Sequence, residues 1–134
     1  NLEKGAYVLS DSEGTPDIIL IGTGSEVQLV MGAQEVLSKE GIKARVVSMP
    51  SWKLFDQQDQ AYKDQVLPPQ VPQRLAVEAG VTFGWYKYVT TQGDVLGLDR
   101  FGESGPAEDV FKLFGFTVEN VCNKARAILE RGKK

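Results

Sequence analysis

Asp17-Ile18-Ile19-Leu20-Ile21-Gly22-Thr23-Gly24-Ser25-Glu26-Val27 is the stretch whose reading decides the fold. Ile18 to Ile21 are four consecutive apolar residues, the pattern of a strand buried on both faces inside a parallel sheet. Gly22 and Gly24 let the chain turn sharply, and Ser25 suits the N-cap of a following helix. Strand, short turn and helix make the first half of a βαβ unit. Free N–H groups at a helix start attract anions, so Gly24, Ser25 and Glu26 form a candidate anion cradle. The third glycine of the dinucleotide fingerprint is missing, as is a Walker lysine. Short βα turns need such residues for their backbone geometry alone, and Glu26 complements the positive helix end; a structural turn is the simpler reading.

Working outward, Gly5–Ser10 reads as a short strand and Asp11-Ser12-Glu13-Gly14-Thr15-Pro16 as a turn cluster. The brevity of that loop predicts antiparallel pairing with a neighbour at a sheet edge. The helix after the central strand is expected from about Glu26 to Glu40. Its polar residues fall on a narrow stripe of Gln28, Gly32, Glu35 and Lys39. The rest of its circumference is apolar, which implies cover by the sheet and by a second element. Gly41 is expected to stop it as a C′ glycine. Ala44–Pro50 reads as the second parallel strand, closing a right-handed crossover. Ser51–Phe55 emerges at its carboxyl end, and Asp56–Gln65 reads as a short polar helix or turn. Gln73–Gly80 is a third parallel strand, Gly84–Val89 a short aromatic helix and Val95–Asp99 the last strand. Gly105-Pro106 opens a further helix. Thr117 caps a final one, with Val118, Val121, Cys122, Ala125, Ile128 and Leu129 on one face. The sum is an α/β fold: a three-layer α/β/α arrangement around a mixed five-stranded sheet, mostly parallel with one antiparallel edge strand.

At 134 residues the chain reads as a single domain, residues 1–134, able to bury a core without disulfides or metals. The net charge is −3 with both signs interspersed, which predicts no nucleic-acid partner and no membrane surface. There is no histidine and one cysteine. Imidazole acid–base chemistry and Ser-His or Cys-His pairs are therefore excluded, and no metal site is expected. Cys122 reads as a reduced core thiol in an intracellular protein. Asn1 stands where an initiator methionine would, so a piece of a longer protein is expected.

The remaining chemistry-bearing candidates lie near strand ends. Glu78 closes an apolar strand and reads either as a tuned acid or as a structural carboxylate paired with Lys87 or Arg100. The loop Asp99-Arg100-Phe101-Gly102-Glu103-Ser104-Gly105-Pro106 falls where doubly wound sheets bind ligands, which makes Arg100, Ser104 and Gly105 candidate anion-binding residues alongside Gly24, Ser25 and Glu26. Trp52, Phe55 and Trp85 are core residues or a docking patch for a neighbouring domain. No catalytic constellation and no cofactor motif is visible.

The order of motifs carries more information than any one of them. Leu20-Ile21-Gly22-Thr23-Gly24-Ser25-Glu26-Val27, Ala44–Pro50, Leu54-Phe55-Asp56, Gln58-Asp59, Tyr62-Lys63 and Val66-Leu67-Pro68 follow one another. Then come Ala76-Val77-Glu78-Ala79-Gly80, Trp85-Tyr86-Lys87-Tyr88, Arg100–Pro106 and Phe114-Gly115-Phe116-Thr117-Val118. In that order, over nearly the whole chain, they resemble the C-terminal domain of transketolases. The resemblance implies a multidomain, thiamine diphosphate-dependent transferase that moves a two-carbon ketol unit between sugar phosphates, in the pentose phosphate pathway or the Calvin cycle. It implies thiamine diphosphate and a divalent metal (Mg or Ca) bound by upstream domains, and a homodimer with active sites between its subunits. The family's catalytic histidines and cofactor contacts belong to those upstream domains, so no catalytic, cofactor-binding or metal-binding residue is carried onto any position here. Asn1-Leu2 resembles the end of an Arg-Gln-Asn-Leu segment whose arginine holds substrate phosphate in the family. The expected compartment is the cytoplasm, or a plastid in a photosynthetic eukaryote. Two functions stand side by side: an assembly domain without chemistry of its own, and a regulatory anion- or nucleotide-binding module.

Overall fold

A computed structural model of the chain describes residues 5–12, 14–22, 27–49, 52–78, 93–97 and 117–132. Within them run β1 (Tyr7–Ser10), β2 (Ile18–Gly22), α1 (Val27–Lys39), β3 (Ala44–Ser48), α2 (Trp52–Asp56) and α3 (Gln60–Val66). They are followed by β4 (Arg74–Glu78), β5 (Asp94–Gly97) and α4 (Val118–Gly132). The helices expected at 84–89 and after Gly105 lie outside the described residues.

The strands form a five-stranded sheet in the order β1-β3-β2-β4-β5. β2 is parallel to β3 and β4, and β4 to β5. β1 is the antiparallel edge strand, as its short loop predicts, but its partner is β3 and not β2, which follows it in the chain. β2 has no free edge, because β3 and β4 flank it on both sides. Its five residues are all buried, so the continuous apolar run sits in the middle of the sheet.

Alternation of side chains across the pleat divides the core in two. Ile18, Leu20, Val46, Leu75 and Val77 face α1 and α4, meeting Val30, Ala33, Leu37, Val121, Cys122, Ala125 and Ile128. Ile19, Ile21, Val47, Met49 and Ala76 face the other way, onto Ala6, Phe55, Val66, Leu67 and Val71. Each large aliphatic side chain taken fully from water contributes roughly 1.5–3 kcal/mol, and both faces of β2 draw on it.

The second element covering α1 is α4. Their contact corrects the expected polar stripe: Gln28 and Glu35 are exposed, but Gly32 is half-buried. A Cβ on Gly32 would lie 2.9 Å from Val118 Cγ2, so glycine there permits close helix approach. Met31, counted among the apolar residues, is 37% exposed instead. Gly41 ends α1 with φ of 81°. The N–H of Gly41 bonds Ser38 O at 3.0 Å and that of Ile42 bonds Leu37 O at 2.9 Å, the paired bonds of a Schellman motif. Thr117 caps α4 as expected, its Oγ1 accepting from Asn120 N at 3.1 Å.

The expected polar helix within Asp56–Gln65 is α3, and a further short helix, α2, precedes it where no helix was expected. α2 includes Phe55, which is buried and meets Tyr62 edge-on with ring centroids 6.4 Å apart. Phe55 is therefore core, not part of a docking patch. Asp59 starts α3 by accepting from Tyr62 N at 2.9 Å, and the Tyr62 hydroxyl donates to Ala6 O at 2.7 Å, fastening α3 to the segment entering β1.

Candidate functional site

Parallel strands bring their carboxyl ends to one edge of the sheet, where α/β folds of this kind place ligands. Register sets Gly22 level with Ser48 on β3 and with Val77 on β4, while Glu78 pairs with Gly97 of β5. Gly22 is buried, and a Cβ there would lie 3.0 Å from Val30 Cγ2 and 3.1 Å from Val27 Cα. Its carbonyl accepts from Met49 N at 3.0 Å. Close packing of α1 on β2 thus accounts for the glycine without a ligand. Gly24, Ser25, Glu26, Arg100, Ser104 and Gly105 lie outside the described residues, as do Asp99, Glu103, Lys87 and Trp85.

Several polar and charged groups among the described residues serve the fold. Ile19 stands between Arg45 on β3 and Arg74 on β4 in the same register row, and both arginines reach toward the carboxyl end of α3. Arg45 Nη1 donates to Gln65 O at 2.9 Å and Val66 O at 3.3 Å, and its Nε donates to Asp11 Oδ1 at 2.8 Å. Arg74 is 6% exposed; its Nε donates to Val71 O at 3.0 Å, and its Nη2 to Leu67 O at 3.1 Å and Pro68 O at 2.9 Å. The last carbonyls of a helix have no partner within it and carry its negative end, which is why two cations gather there. Burial lowers the Arg74 pKa from its ordinary value, yet guanidinium stays charged. Neither arginine was singled out in the sequence; a cation inside an apolar strand run was the signal.

Gln34 ties α1 to two strands. Its Nε2 donates to Ala44 O at 2.9 Å and Ser10 O at 3.2 Å, and its Oε1 accepts from Ser10 Oγ at 2.9 Å. Arg126 of α4 pairs with Glu40 through both carboxylate oxygens and donates to Asn123 Oδ1 at 2.8 Å. The hydrogen bond from Arg126 holds the Glu40 carboxyl below its usual range. Cys122 is free and 1% exposed, with burial raising its pKa; this is the expected core thiol and no nucleophile.

Two clefts bounded by described residues lie toward the amino ends of the parallel strands. One of about 640 Å³ is lined by Asp17, Glu40, Ile42, Gln73, Arg126, Leu129 and Glu130. Another of about 660 Å³ lies between the β1–β2 loop and the end of α1. Among the described residues, no group of three or more His, Cys, Asp or Glu is placed to hold a metal ion, and no helix is long and apolar enough to cross a membrane.

Residues 5–117 match the family of transketolase-like C-terminal domains. The chain is similar to transketolase 1 of Pasteurella multocida, at 55% identity over 132 residues, covering 96% of this chain and 20% of that protein. It is similar to transketolase 1 of Vibrio vulnificus at 54% identity over 129 residues, covering 96% of this chain and 19% of that protein. In structure it resembles the transketolase of Leishmania mexicana, with a TM-score of 0.89 and 40% identity over 97% of this chain and 18% of that one. It also resembles the Pichia stipitis transketolase in complex with sedoheptulose 7-phosphate, with a TM-score of 0.87 and 46% identity over 97% of this chain and 18% of that one. The chain spans about a fifth of the length of the curated relatives it matches.

Proposed function

The chain belongs to the transketolase family as its C-terminal domain, and from that premise we propose that it serves an assembly role in an enzyme whose chemistry is done elsewhere. That enzyme is a transferase moving a two-carbon ketol unit between sugar phosphates, in the pentose phosphate pathway or the Calvin cycle. Thiamine diphosphate and a divalent metal are held by its upstream domains. Those domains and a second subunit are this chain's partners, and the cytoplasm is its compartment. The observation that carries the reading is the match itself, in sequence and fold, along nearly the whole chain and to one end-domain of much longer proteins.

The residues support an assembly role over a chemical one. With no histidine in the chain, the usual proton carrier near neutral pH is absent. The charged side chains traced above are engaged by helix ends, strand carbonyls and one another. The regulatory anion-binding reading draws no support from Gly22, whose form follows from packing.

Two measurements test this. The isolated chain, supplied with thiamine diphosphate, magnesium and sugar phosphates, is expected to show no ketol transfer above background; turnover in a preparation free of the parent enzyme would overturn the proposal. Removing this region from the full-length enzyme is expected to weaken subunit association in analytical ultracentrifugation. An unchanged dimer would end the assembly reading while leaving the family assignment intact.

A further inference from the structure

We draw no further inference here: the strongest candidate, the cleft between the carboxyl end of α1 and helix α4 lined by Asp17, Glu40, Arg126 and Glu130, is a set of carboxylates around an arginine already taken by Glu40 and Asn123, and no buried polar side chain among the described residues is aimed into it to indicate a ligand.

Discussion

Gly32 poses a contest between two effects of similar size. In a helix interior, alanine is favoured over glycine by roughly 0.8–1 kcal/mol. Against that, the added Cβ would stand 2.9 Å from Val118 Cγ2, and valine cannot swing aside because its χ1 is confined. Overpacking of this kind costs about 1–3 kcal/mol, so the clash wins. Gly32→Ala is expected to lose about 1 kcal/mol in urea unfolding. Adding Val118→Ala should then make the Gly32 substitution neutral or favourable. A stable Gly32→Ala single variant would show that α1 and α4 can separate at little cost.

At the scale of elements, the end of α3 is where opposite charges and orphan carbonyls meet. Arg74→Met removes the donors to the Leu67 and Val71 carbonyls, which are buried, and to the part-buried Pro68 carbonyl, which keeps its bond from Val71 N. A buried unsatisfied polar group costs about 1–3 kcal/mol. The loss expected in denaturant melts is about 2–3 kcal/mol, with faster amide exchange in α3 than in α1. Arg74→Lys should not restore it, because one ammonium cannot reproduce the guanidinium fork.

The Arg45–Asp11 pair in the same network is different, since the Asp11 side chain is 50% exposed. Partial burial raises the Asp11 pKa, but hydrogen bonds from Arg45 and Ser12 N and the charge of Arg45 outweigh it and hold it below the ordinary value. A carboxyl with a depressed folded-state pKa stabilises above its unfolded pKa, and that contribution is lost as pH falls through the folded value. Asp11→Asn is therefore expected to lose less than about 1 kcal/mol at pH 7. The difference from the parent should vanish in acid, below the folded-state pKa of Asp11. A gap that persists there would assign the effect to packing rather than charge.

For the molecule as a whole, the two halves of the core share one sheet, and β2 contributes to both through alternate residues. Neither half can lose its packing without exposing that strand, which argues for a single cooperative transition of the isolated chain. Cys122, sealed between α1 and the sheet with a raised pKa, offers a second probe. Its labelling by a thiol reagent is expected to follow the same denaturant midpoint as the circular-dichroism signal. Labelling well before that midpoint would reveal α4 leaving first.

What the sequence determined by itself was whatever depends on local pattern. The apolar run Ile18–Ile21 located the centre of the sheet, since only a strand covered on both faces can afford no polar residue. Gly41, Thr117 and the apolar spacing of α4 announced a helix stop, a helix start and a buried face, because caps and periodicity act within a few residues. The ordered motifs along the chain identified the family. Tertiary structure alone decided what depends on partners distant in the chain. Gly32 looked polar by its place on a helical wheel, and only Val118, far away in sequence, makes it a packing position. Phe55 reads as either core or docking residue from sequence, and the packing of α3 against it decides for core. β1 sits beside β3 because β2 is already paired on both edges, a competition that no single stretch can express. Arg45 and Arg74 became one site only when register set them on either side of Ile19, Arg45 at the last carbonyls of α3 and Arg74 at those of the turn that follows it. Backbone preference is a property of neighbours in sequence; burial and charge pairing are properties of neighbours in space.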